Sequence, residues 1–259
     1  MTGDPAMPLI SGTTEAALRL PLFHKNIVPL DPLRHGALKL DRSTGYGYAA
    51  AAEIVPIGLG EFDAAAQSYP ILFAGEPQPI AVVVLGIAKG WNLFVNAEGV
   101  WMPGAYVPAL VRAYPFVFIA EAGGGSLALG IEADAVCLGA ETGLPLFEDG
   151  KPTAGLSEAV SLCQACEQSL ADAAGFAAAL DEAGVLVPKE ATIEAKTGGT
   201  ARIAGFKTVD PERLAAVPDA VFLDWRRRHW LPPLFAHLFS AANWLPFTDL
   251  AINALATRQ

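Results

Sequence analysis

Residues 156–183 hold the pattern that most restricts what this chain can become. Leu156, Val160, Cys163, Leu170, Ala174, Ala177 and Leu180 recur at spacings of three, four and seven, so they share one face of a helix. Gly184 follows at the point where a helix end favours a residue free to take positive φ. Ahead of this stretch the apolar runs are short: residues 71–74, 80–88 and 116–120 are strand-sized. Strands early and helices late predict an α+β fold. The expectation is a mixed or antiparallel sheet in the first ~150 residues, with a helical C-terminal half packed on it.

Turn residues divide the rest. Residues 50–57 read as a strand ending at Pro56, and residues 60–68 as a short helix. Strands 70–74 and 80–85 flank Gly75-Glu76-Pro77-Gln78-Pro79, a turn by composition. Residues 91–95 and 100–102 read as a hairpin around Asn96-Ala97-Glu98-Gly99. A short helix over 106–114 would end at Pro115, and 115–120 with 126–138 would form a second hairpin across Gly123-Gly124-Gly125. Beyond the long helix, strands 192–194 and 201–206 flank Thr197-Gly198-Gly199, and Asp210-Pro211-Glu212 opens a further helix. The remainder, to Ala256, reads as helix interrupted by prolines. The organisation expected is an N-terminal arm (1–22) and a single α+β domain (23–259), with Lys151-Pro152-Thr153 as the best internal sub-boundary, near 151.

Composition removes several classes of function. With 17 Lys+Arg against 27 Asp+Glu, the net charge of −10 argues against nucleic acid as a partner. A hydrophobic content of 53% argues against general disorder. The mean hydropathy of +0.37 raises the question of a membrane span. The one long stretch without Asp, Glu, Lys or Arg is 229–248, and Pro232, Pro233 and Pro246 interrupt it. It reads as a buried helical hairpin. The sharper alternative is a surface-docking segment, because Trp225-Arg226-Arg227-Arg228-His229-Trp230 sets a cationic cluster between two tryptophans. Three cysteines and no basic leader followed by an apolar run point to a cytoplasmic location, with peripheral contact at the inner membrane as the variant.

Chemistry-bearing motifs are few. Cys163-Gln164-Ala165-Cys166 lies well inside the predicted helix and has no second ligand pair, so no metal site is expected. Cys137 is expected in a strand, buried and inert. The four histidines form no close pair, and His35 is singled out because Asp31 and Asp41 are near in sequence. Gly45-Tyr46-Gly47-Tyr48-Ala49-Ala50 spells a dinucleotide fingerprint without its strand, and Gly124-Gly125-Ser126-Leu127-Ala128 falls short of a nucleophile elbow. No cofactor is expected. Glu53, Glu61, Asp63, Glu132 and Asp134 read as a solvated face. The most unusual stretch is 91–116, where Trp91, Phe94, Trp101, Tyr106 and Tyr114 surround Asn92 and Arg112. Such a cluster is either the main core or a core with a ligand or peptide pocket beside it. Arg112, amid aromatics, needs an acid, a stacking ring or water.

These residues carry a resemblance. Tyr69-Pro70-Ile71-Leu72-Phe73, Asn92-Leu93-Phe94-Val95, Gly99-Val100-Trp101, Tyr106-Val107-Pro108-Ala109 and Arg112-Ala113-Tyr114-Pro115-Phe116 follow in an order that resembles the bacterial SapC family, with further matches out to Asn243. The resemblance implies no reaction and no catalytic residues. It implies an accessory role beside surface-layer, TonB-dependent uptake or flavin-dependent halogenase-like genes. The first reading is therefore a binding protein that captures a peptide, protein partner or small molecule at the aromatic cluster. In it Arg112 and Asn92 orient polar groups, and Trp225, Arg226, Arg227, Arg228 and Trp230 serve docking. The second reading is an enzyme on a peptide or aromatic substrate, using His35 or His237 with a carboxylate.

Overall fold

The computed structural model describes residues 22–120, 127–139, 141–194 and 200–257. The N-terminal arm before Leu22, the triple-glycine turn with its Ser126 motif, and the Thr197-Gly198-Gly199 turn lie outside the described residues. Short elements lead: β1 (Ile27–Pro29), α1 (Pro32–His35), β2 (Lys39–Leu40), β3 (Ile54–Pro56), α2 (Phe62–Ala65), β4 (Ile71–Ala74) and β5 (Ile80–Val84). Then come α3 (Ala109–Ala113), β6 (Phe116–Ala120), β7 (Leu127–Glu132), β8 (Leu138–Gly139), β9 (Leu144–Pro145), β10 (Phe147–Glu148) and β11 (Lys151–Pro152). The second half holds α4 (Ala154–Glu182), β12 (Leu186–Glu194), β13 (Thr200–Val209), α5 (Pro211–Ala215), α6 (Asp219–Arg227), α7 (Leu231–Ser240) and α8 (Trp244–Thr257). The α+β expectation holds, and every named strand pair is antiparallel.

The main sheet has the order β12-β13-β4-β5-β3. Its centre consists of β4 and β5, Ile71-Leu72-Phe73-Ala74 and Ile80 to Val84. Eight of those nine side chains are buried, which is why they read as continuous apolar runs without alternation. The long β12–β13 hairpin, from the second half, extends this sheet: Phe206 pairs with Ala74 and Lys207 with Phe73. The half that reads as mainly helical therefore donates two of the five strands. Helix α4 covers the sheet through Phe176, whose ring meets Phe62 and Phe73 edge-on or tilted at 5.8 and 6.2 Å. Thr153 caps the start of α4 by accepting the Leu156 N–H. Lys207 ties β13 to α4 by an ion pair to Asp181 (3.0 Å) and to the β4–β5 turn by one to Glu76 (2.9 Å).

Several local expectations change. The hairpin expected over 91–95 and 100–102 is reduced to a single bridge between Val95 and Trp101, and Asn96 Oδ1 accepts the N–H groups of Glu98 and Val100 in the loop between them. Cys137 sits in a turn and not in a strand, though it is buried. The Gly45 fingerprint is two short 3-10 turns. There the positive φ of Gly45 allows backbone contact with Gly99, whose carbonyl a Cβ would meet at 2.6 Å.

Candidate functional site

The residues between 91 and 116 do not close around one space. Phe94 and Trp101 face the main core with Tyr69, whose ring lies 4.7 Å from Phe94 at right-angle tilt. The Trp101 indole donates to the Tyr69 hydroxyl at 3.0 Å, and that hydroxyl donates to the Tyr106 carbonyl. Asn92 is buried and fully used: its amide donates to the Ala49 carbonyl, and its oxygen accepts the Phe94 N–H. Tyr114 belongs to a separate small cluster, stacked on Tyr48 at 4.0 Å with Cys137 beside them. Only Trp91, Tyr106 and Arg112 of the seven remain half-exposed.

Arg112 is held at the rim by neutral acceptors. Its Nε donates to the Val107 carbonyl (3.0 Å) and one terminal nitrogen to the Tyr106 hydroxyl (3.1 Å). That hydroxyl in turn donates to Glu61 at 3.0 Å. Among the described residues no carboxylate lies within ion-pair distance of Arg112. Glu61, read from sequence as solvated, is buried. It accepts from Gly58 N–H, Ala109 N–H and the Tyr106 hydroxyl, so it organises two helix starts. Glu132 is likewise buried and receives the N–H groups of Lys25 and Asn26. Sequence spacing gave no hint of either, because the donors lie far along the chain or on backbone.

An apolar opening with polar groups at its edge lies elsewhere. Continuing the β4–β13 register would set Val209 opposite Ile71, yet the strands splay there. The His237 ring fills the gap: its Nε2 accepts the Val209 N–H at 3.1 Å and its Nδ1 donates to the Ile71 carbonyl at 2.9 Å. Ser240 completes the seal by accepting the Ile71 N–H. One donor and one acceptor on opposite ring nitrogens fix the neutral tautomer, and burial pushes the His237 pKa down to about 4. Beyond this wedge lies a cleft of about 500 Å³ between β12–β13 and α7–α8. Phe206, Leu238, Trp244 and Ile193 line its wall, with Lys189, Thr192, Thr208 and Glu190 among the polar members, the last paired to Arg202. Lys189 is exposed, and no carboxylate among the described residues pairs with it.

The other candidates fall into place by contact. His35 Nδ1 accepts the Asp31 N–H, closing the short turn of α1. Cys163 and Cys166 are buried on the inner side of α4, and burial pushes their thiols up to about 11 and about 12. Trp225 is buried at 2% exposure, and Trp230 packs on Phe176. Arg226, Arg227 and Arg228 are exposed, with Arg228 paired to Asp224 at 2.7 Å and stacked over Trp230. Among the described residues no three His, Cys, Asp or Glu side chains gather as a metal ion requires, and no helix is long and apolar enough to cross a membrane.

What this defines is an α+β scaffold whose buried polar groups are spent on structure and whose free polar groups stand at the edges of clefts. The SapC family model matches residues 30–246, and the chain belongs to the SapC family. No curated protein and no solved structure matches it.

Proposed function

We propose that the chain is a binding protein with an accessory role, and that its ligand is a small amphipathic acid held in the β12–β13/α7–α8 cleft. The observation that carries this reading is the conjunction of an apolar cleft of about 500 Å³ with a lining Lys189 ammonium that has no ion-pair partner among the described residues, while the lining Glu190 is taken up by Arg202. That volume lies in the range of small-molecule sites. An extended peptide added to the sheet edge is less favoured. β12 is the edge strand, but Pro188 and the irregularity between Lys189 and Ala191 interrupt the row of groups that a new strand would pair with. A chain of about six buried methylenes contributes roughly 5 kcal/mol before association costs, which places affinity in the range of about a millimolar or weaker.

The test is calorimetric titration with decanoate, below its micelle concentration, and with decanol. Decanoate should bind the wild type. Thr208→Trp, which fills the cleft, should weaken it more than tenfold, and Lys189→Gln about threefold with no effect on decanol. Saturable binding unchanged by Thr208→Trp would remove the cleft from consideration.

A second reading keeps the aromatic rim. Arg112 has neutral partners alone among the described residues, and the carboxylate of a peptide or protein tail would complete it. Arg112→Ala should then abolish capture of a C-terminal peptide from a surface-layer or TonB-dependent partner without moving the melting temperature. If that variant unfolds, Arg112 is a structural brace between Val107 and Tyr106.

A further inference from the structure

We infer that the outer face of α7, continued into the start of α8, is a docking surface for an anionic lipid bilayer. Helix α7 is apolar on both sides. Its inner side, with Pro233, Leu234, Ala236 and His237, is buried. Its outer stripe, Pro232, Phe235, Phe239 and Ala242, recurs at three and four and is exposed throughout. Phe239 is 74% exposed, Phe235 41% and Leu245 73%. The Phe235 and Phe239 rings stack on each other at 6.4 Å and present a shared apolar surface. A helix apolar all round is at home in a core or in lipid.

Charge selects the occupant. The chain carries −10 overall, yet residues 225–248 contain no Asp or Glu and three arginines, Arg226, Arg227 and Arg228. Arg226 and Arg227 are exposed, and among the described residues neither has an ion-pair partner; Asp224 is committed to Arg228. The cluster adjoins the start of α7. Phe239 lies eight residues along that helix, about 12 Å from its start at 1.5 Å per residue. Exposed aromatics beside a basic cluster are what an interfacial segment needs: apolar insertion plus attraction to acidic headgroups. The buried Trp225 and the packed Trp230 take no part, so the anchoring rings are phenylalanines. This surface is separate from the ligand cleft, which uses the inner sides of the same helices.

The test is flotation of the full chain with phosphatidylcholine vesicles and with vesicles containing 30% phosphatidylserine, at low and high salt. The expected result is capture by the anionic vesicles alone, lost at high salt. Phe235→Ser/Phe239→Ser should reduce it at least tenfold, and Arg226→Gln/Arg227→Gln about as much, with unchanged melting and unchanged decanoate binding. Absence of capture at low salt overturns the inference, as does equal capture by neutral vesicles. Light scattering that shows a wild-type dimer made monomeric by the phenylalanine double variant also overturns it, since a second copy would then be the occupant.

Discussion

His237 stands in for two hydrogen bonds of a β-ladder. Its neutral ring must accept the Val209 N–H, and a proton on Nε2 would destroy that role. The folded-state pKa of about 4 lies below the ordinary value of 6.5, so the unfolded chain binds the extra proton first as pH falls. Stability from this group is complete above about pH 6.5 and drains away between there and pH 4, by on the order of 3 kcal/mol. NMR titration of the His237 ring should give a midpoint near 4; a midpoint near 6.5 would show that the wedge is open to water. Ser240→Ala leaves the Ile71 N–H buried without an acceptor and should cost about 1–3 kcal/mol in urea unfolding. A loss below a few tenths would mean that water replaces the hydroxyl. Glu61→Ala removes the acceptor of three donors and should cost at least as much.

Among the elements, α4 shows how far periodicity reaches and where it stops. Its apolar recurrence, its Thr153 start and its Gly184 end are local signals, so its span could be read within two residues. The chemistry of its Cys163–Cys166 pair follows from the same placement. With both thiols buried and their pKa values raised, the native chain at pH 8 should react with a thiol reagent far more slowly than the urea-unfolded chain, by at least a hundredfold. Equal rates would show that α4 does not cover them. The β12–β13 hairpin was legible only in pieces. Gly205 and the irregularity at Lys189–Ala191 break its alternation, and its docking against β4 depends on residues more than a hundred positions away. Nothing local marks Val209 and Ile71 as neighbours, and so nothing local marked the cleft.

At the scale of the molecule, the polar members of the aromatic cluster serve structure before they serve any ligand. The cluster around Trp101 looks unusual in sequence because it contains polar residues. In the fold Asn92, Tyr69 and Glu61 bond to backbone or to rings and are closed off. The two surfaces proposed for binding are the cleft at the splayed end of β4 and β13 and the exposed outer stripe of α7. Both are built from the second half of the chain packing on the first.

The cleft claim is tested most directly by placing the ligand. With ¹³C-labelled decanoate bound to the full chain, the account predicts nuclear Overhauser contacts from the ligand methylenes to the rings of Phe206 and Trp244 and to Leu238, all lost in Thr208→Trp. Contacts instead to Trp91 and Tyr106, or to Phe235 and Phe239, would contradict it.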